Sequence, residues 1–324
     1  MKKLFGILLL GFCCANLTAC FPDEPFGTPE EEVSEDNLSC LYIKTRKEAS
    51  AYYGFGPGTQ TETTAEIVTT YEGNRVVGED YKVTTLQYDE DGSVWHSSDI
   101  HEVISCSWNG LTCTRTYEAI YDGLEYPTVV VEYLDDTYLR IKTQESEFDN
   151  HKSVFEYDGK KITKESLYLD GVLQYDKVYE YKGLTATYVM TYYVPTENPD
   201  YVGVQMTLVG GKITYQDNTF LRVVRQEYDY RNSNGDATKE IITNTYDGVK
   251  RTKCEQRIEG TINGYTYGDD AVYMLAEYEW DGLKCRGTIK QFHQDPQPPY
   301  NEHKGELSAI TNVEYEYLDF EPAK

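Results

Sequence analysis

The sequence predicts an all-β protein: an antiparallel meander of repeated β-hairpins, closed or partly closed as a barrel, or rolled as a sheet. Three observations predict it. Tyrosine is strongly over-used, 31 against 10 phenylalanines in 324 residues, and tyrosine, threonine and valine favour half-buried pleated surfaces. After the first twenty residues no long stretch repeats its apolar positions every 3.6 residues, as an amphipathic helix would. One phrase recurs throughout: aromatic, Glu, aromatic, polar, Gly. Side chains alternate faces along a strand, so the phrase puts both aromatics on one face and the glutamate on the other.

The elements follow in chain order. Residues 1–19 read as a signal peptide, with Lys2 and Lys3 ahead of an apolar run from Leu4 to Cys14. That run is too short to span a bilayer as a helix. Leu17-Thr18-Ala19-Cys20 resembles the cleavage and lipidation box of bacterial lipoproteins. The resemblance implies that Cys20 becomes the acylated N-terminus, which makes the membrane a partner through its acyl chains. Several chains anchor stably where one is marginal.

Residues 20–38 form an acidic tether carrying Asp23, Glu24, Glu30, Glu31, Glu32, Glu35 and Asp36 among three prolines. Such a run repels itself and stays extended. Acidic residues behind the lipidated cysteine are similar to the export signal of Bacteroidetes-type surface lipoproteins. The expected location is therefore the outer membrane, lipid-anchored, either surface-exposed or facing the periplasm.

Residues 39–324 form the hairpin domain. The phrase appears at Tyr71-Glu72-Gly73, Trp108-Asn109-Gly110 and Tyr121-Asp122-Gly123, then in full at Phe155–Gly159 and Tyr179–Gly183. It returns at Tyr246-Asp247-Gly248 and Tyr278–Gly282, and Tyr315-Glu316-Tyr317 lacks the glycine. An Asp-Gly or Asn-Gly pair suits a two-residue type I′ turn. Apolar Leu111, Leu124, Leu184, Val249 and Leu283 then restart the next strand. The spacing is too irregular for a strict solenoid. Tyr88-Asp89-Glu90-Asp91-Gly92-Ser93-Val94 resembles the tyrosine-aspartate (YD) repeat pattern, and Tyr157-Asp158-Gly159-Lys160-Lys161-Ile162-Thr163 is a shortened relative. The domain is also similar to uncharacterised lipoproteins of gut bacteria. Both resemblances imply hairpin architecture. Pro195–Asp200 and His293–Gly305 read as loops outside the meander, where binding is commonly placed.

Removal of residues 1–19 takes two lysines and moves the formal charge from −25 to −27. A surface this acidic repels nucleic acid, so nucleic acid is excluded as a partner. Beside Cys20 the mature chain keeps Cys40, Cys106, Cys113, Cys254 and Cys285. Taking Asn109-Gly110 as the turn sets Cys106 opposite Cys113, within reach of a disulfide in an oxidising compartment, although at a hydrogen-bonded pair of the ladder. Cys254 and Cys285 both follow turns and can pair if their strands are neighbours. The alternative for each is a buried free thiol.

No catalytic residue emerges. His101-Glu102-Val103-Ile104-Ser105 opens like a zinc-protease signature but has serine where the second histidine belongs. His96 and His101 fall on opposite faces of a strand, so no metal site is expected. Calcium is the one cofactor the acidic turns could invite, at Asp89–Asp91, Asp135-Asp136 or Asp269-Asp270, but capping of turns is the simpler role. No nucleophile elbow, phosphate loop or dinucleotide fingerprint is present. The expected function is therefore non-enzymatic: an envelope binding or interaction module whose partner is an envelope protein or a glycan. The alternatives are a glycan-binding lipoprotein using exposed Tyr and Trp, and a hydrolase using two carboxylates.

Overall fold

The computed structural model describes residues 42–53, 60–89, 91–119, 128–147, 150–193, 207–232, 234–262, 265–267, 271–294 and 304–318. Outside them lie Cys20 and Cys40 with the whole N-terminal segment, the Tyr121-Asp122-Gly123 turn, the Pro195–Asp200 loop, Asp269-Asp270 and residues 295–303.

The described residues build one antiparallel sheet that closes on itself, with no helix among them. Closure shows at β1 (Ile43–Tyr52), which pairs both with β2 (Thr61–Glu72) and with β19 (Leu307–Tyr317). Arg46 thus faces Ile67 on one side and Tyr315 on the other. A closed ring has no unpaired edge to aggregate.

The ring divides into three units of six strands. The first comprises β1, β2, β3 (Arg75–Tyr88), β4 (Val94–Asn109), β5 (Thr112–Ala119) and β6 (Val129–Tyr133). The second runs through β7 (Ile141–Ser146), β8 (His151–Asp158), β9 (Lys161–Leu169), β10 (Val172–Lys182), β11 (Thr185–Tyr192) and β12 (Thr207–Tyr215). The third holds β13 (Val223–Arg231), β14 (Ala237–Asp247), β15 (Lys250–Ile262), β17 (Val272–Asp281), β18 (Lys284–Phe292) and β19. The two-residue β16 (Tyr265–Thr266) pairs with β15 alone, and β15 continues the ring directly to β17.

Equivalent residues do equivalent work in the three units. Tyr71, Tyr157 and Tyr246 donate their hydroxyls to the carbonyls of Ile43, Ile141 and Val223, at 2.9, 2.7 and 3.2 Å. The amides of Tyr133, Tyr215 and Tyr317 donate to the carbonyls of Leu111, Leu184 and Leu283, each at 2.9 Å. Arg75, Lys161 and Lys250 each hold a cation 5.6 Å from the ring centre of Trp108, Tyr181 and Trp280. The bulges repeat as well: β2–β3, β8–β9 and β14–β15 each shift register just before Tyr71, Tyr157 and Tyr246. The hydroxyls explain why tyrosine displaces phenylalanine, since a Tyr on the inner wall can brace a neighbouring strand's carbonyl.

The hairpin positions are as the phrase predicts, but the turn type is not. Gly73, Gly110, Gly159, Gly183, Gly248 and Gly282 have φ between +58° and +63°, and the residues after them do not have positive φ. Glycine is therefore the first central residue of a type II′ turn, and the residue after it is the second: apolar at Leu111, Leu184, Val249 and Leu283, polar at Asn74 and Lys160. Of the two-residue turns, Asp170-Gly171 has positive φ at both positions, 50° and 75°, as type I′ requires.

All the type II′ turns lie at one end of the barrel, where β6 connects to β7 and β12 to β13. There the chain repeats itself: Tyr133-Leu134-Asp135-Asp136-Thr137-Tyr138-Leu139-Arg140 matches Tyr215-Gln216-Asp217-Asn218-Thr219-Phe220-Leu221-Arg222. In both loops the Asp accepts from the Thr amide at 3.0 Å and pairs with the Arg. The third equivalent place is where the described chain begins and ends, with Leu318 N donating to Tyr42 O at 2.8 Å. Leu139, Leu221 and Tyr42 pack together there, each at most 6% exposed. Tyr42 Oη donates to Thr137 O, and Arg140 Nη2 to Thr219 O, tying one loop to the next. This end of the barrel is plugged.

Candidate functional site

The two faces of the wall differ sharply. Outward positions carry charge in nearly every strand: Glu66, Asp80, Lys152, Glu156, Glu180, Lys239, Glu255, Glu277, Arg286 and Glu316 are examples from around the ring. Many pair across strands, as Lys47 with Glu66 at 2.6 Å and Arg286 with Glu314 at 3.0 Å. A barrel that crosses a membrane presents an apolar band about 25 Å tall to lipid. This outer wall is built for water.

The inner wall changes character along the axis. Next to the plug it is a packed core of Cys113, Val131, Tyr133, Ile141, Phe155, Ile162, Ala186, Tyr188, Ile213, Tyr215 and Phe220, all buried. Aromatic pairs fill the width: Trp108 stacks on Tyr133 at 5.6 Å and Trp280 on Tyr317 at 5.1 Å. Two glycines make room for phenol rings lying flat on the wall. A Cβ at Gly211 would fall 2.4 Å from Tyr188 Oη, and one at Gly287 would meet the Tyr278 ring at 2.5 Å.

Farther toward the other end most inward residues are half-buried and many are polar. Glu165 accepts from Tyr175 Oη at 3.0 Å, Lys177 Nζ at 3.3 Å and Tyr179 Oη at 3.3 Å. Glu240 accepts from Tyr230 Oη at 3.3 Å, Tyr273 Oη at 2.8 Å and Gln256 Nε2. Burial, and then the charge of Glu240, push the Tyr230 hydroxyl up to about 12. In the first unit Arg46 pairs with Glu48 at 2.6 Å, and Arg115 donates to Tyr133 Oη at 3.1 Å. Glu102 also faces inward, opposite Tyr81 on β3, and burial raises its carboxyl above the ordinary range. This polar half of the inner wall, over an aromatic floor, is the candidate site.

The cysteines are placed differently from the sequence expectation. Because Gly110 and Leu111 form the turn, Asn109 faces Thr112 and Cys106 faces Arg115, with Cys113 opposite Trp108. Cys106 and Cys113 are therefore diagonal neighbours on the inner wall and not directly opposed. Both are free thiols, with Cys106 donating a hydrogen bond to Cys113. That bond holds the Cys113 thiol down against the opposing effect of burial, while the same bond and burial together push Cys106 up. Cys254 and Cys285 are free too, and β17 lies between their strands: Cys254 faces Ala276 and Cys285 faces Trp280. Two strand spacings, about 9.5 Å, exceed disulfide reach.

His101 points outward to Asp80 at 3.0 Å, while His96 lies on the inward register, beside the Trp95 ring. Asp135 is occupied by Thr137 and Arg140, and Asp91 accepts from the Ser93 amide at 2.9 Å. Among the described residues no group of three or more His, Cys, Asp or Glu is arranged to hold a metal ion. The sequence reading missed Glu102, Glu165 and Glu240 as inward carboxylates. The signal was their place opposite the glutamates of the outer face, but only the bulge positions reveal which parity turns inward.

No protein-family model matches the chain, and no curated protein matches it. Among solved structures it is similar to a porin-like protein from Bacteroides uniformis ATCC 8492, with 10% identity, a TM-score of 0.38, and 85% of this chain and 96% of that one covered. Similarity at this level carries neither role nor orientation from one protein to the other.

Proposed function

We propose that this protein is a lipid-anchored envelope protein at the outer membrane, whose water-exposed barrel acts by binding and not by catalysis. The observation that supports it most directly is the charged outer wall, which suits an aqueous compartment and leaves membrane attachment to the lipobox. The described chain enters the barrel at its plugged end, through Tyr42. Acyl chains on Cys20 would therefore tether the plugged end, and the polar half of the barrel would lie away from the membrane. The absence of nucleophile, phosphate-loop and dinucleotide motifs in the sequence supports binding over turnover. The test is fractionation of C20A. Wild type is expected in the membrane fraction and C20A in the soluble one; equal retention of C20A would refute the anchor.

A second reading, glycan binding, draws support from the end of the barrel opposite the plug. Trp95 is 58% exposed, and Tyr53 and Tyr265 are 41% and 42% exposed. Trp108 and Trp280 sit in the packed floor, so an emission change on titration with oligosaccharide would report Trp95. Emission unchanged by any glycan tried, with W95A indistinguishable from wild type on an array, would remove this reading.

A further inference from the structure

Glu102 is 7% exposed, faces the interior of the barrel, and takes neither a hydrogen bond nor an ion pair from any described residue. Among the described residues every other inward carboxylate of the polar half has a partner. Glu48 has Arg46, Glu79 accepts from Thr69 Oγ1 at 3.4 Å, and Glu165 and Glu240 each accept three bonds. Between the turns of the plugged end and the rim, the first unit turns two cations inward, Arg46 and Arg115, against the three carboxylates Glu48, Glu79 and Glu102. One negative charge is left over, and the residue without a partner is Glu102.

The residue as a whole is buried while its carboxylate oxygens still reach solvent-sized space, and native structures keep an inward charge without a protein donor for a reason. The threefold comparison sharpens this. The second and third units place Tyr175 and Met274 at the position of Glu102, counted from Trp108, Tyr181 and Trp280. The barrel is therefore built twice without a carboxylate there, so Glu102 is not demanded by the fold. In register its neighbours are Tyr81 directly across on β3, Ala119 directly across on β5, Ile100 and Ile104 on either side along β4, and Tyr117 diagonally on β5. Aromatic faces and an unpaired carboxylate suit an ammonium group, and the flanking isoleucines suit an apolar tail. The strongly negative net charge also draws cations toward the protein.

We propose that Glu102 is the charge-recognising contact of a ligand site in the barrel, which accepts an amphiphilic ligand bearing an ammonium head. The inference rests on the reading of the polar inner wall as a binding site, and is independent of whether Cys20 is acylated. The experiment uses the full-length protein purified in detergent, titrated calorimetrically with hexylamine and with its neutral isostere 1-hexanol. Hexylamine is expected to bind and hexanol to bind at least tenfold more weakly. E102Q is expected to lose at least tenfold for hexylamine and to leave hexanol unchanged. E316Q removes the same charge from the outer wall, beside Lys44, and should bind hexylamine like wild type. Equal affinity for amine and alcohol, an E102Q indistinguishable from wild type, an E316Q loss matching that of E102Q, or no hexylamine binding at millimolar concentration would each overturn the proposal. Failure of the C20A fractionation would leave it standing.

Discussion

Phe220 offers a sharp test of the plug. It is fully buried, packs on Tyr215 at 4.9 Å and Tyr181 at 6.3 Å, and has a φ of 57°, in the left-handed region. Truncation to alanine removes the ring and leaves a cavity, at a cost of about 3–5 kcal/mol. Alanine keeps the left-handed strain, which is about 1–2 kcal/mol for a residue with a Cβ. Glycine removes that strain but adds about 0.5–1 kcal/mol of unfolded-chain entropy. F220G should therefore be more stable than F220A by about 0.5–1 kcal/mol, the reverse of the usual order. Urea unfolding followed by tryptophan emission reads this directly, because Trp108 and Trp280 are stacked in the floor next to the plug. Tyr138, at the equivalent place with φ 55°, is only half-buried, so Y138A should cost less than F220A. A loss below about 1 kcal/mol for F220A, or F220G less stable than F220A, would refute the account of the plug as packed core held in a strained turn.

E102Q should raise stability at neutral pH by up to about 1 kcal/mol, the low end of the cost of an undonated polar group, because the carboxylate oxygens still reach solvent. The folded carboxyl sits above its unfolded value, so its penalty is full above the folded pKa and vanishes below the unfolded one. The gain should therefore shrink as pH falls toward 4 in thermal melts; a constant gain would show that charge is not its cause. Y71F, Y157F and Y246F should each cost about 1 kcal/mol, because each removes the same hydroxyl-to-carbonyl brace. A cost confined to one of the three would break the claimed equivalence. G211A should be much more damaging than G287A in the same melts. The new Cβ lies 2.0 Å from the Glu227 carbonyl oxygen at Gly211, but 2.9 Å from that of Glu277 at Gly287.

Much of the fold is legible in the residues. Alternation of aromatic and glutamate marks the strands, glycine marks their turns, and the two together mean antiparallel hairpins. The glycine turns were placed correctly while their type was not. The Asp-Gly pattern suggests type I′, but the bulge before Tyr71, Tyr157 and Tyr246 and the pairing of the residue ahead of each glycine make the glycine itself the first turn residue. Moving the turn by one residue is enough to shift the partner of Cys106 by two, from Cys113 to Arg115. The repeat from Tyr133 to Arg140 and from Tyr215 to Arg222 was also present in the chain. Its meaning was hidden because the third copy is split between Tyr42 and Leu318, at the two ends of the described sequence.

The sequence by itself determined the local chemistry: strands, turns, an acidic exterior, and a candidate acylation site. These depend on neighbours along the chain, for which alternation and glycine placement suffice. Tertiary structure alone decided that the strands close, that three units share one axis, and that one end is plugged. It also decided which of the many glutamates turns inward without a partner. Those outcomes depend on register summed around the whole ring, where each bulge shifts a face and no local pattern records the total.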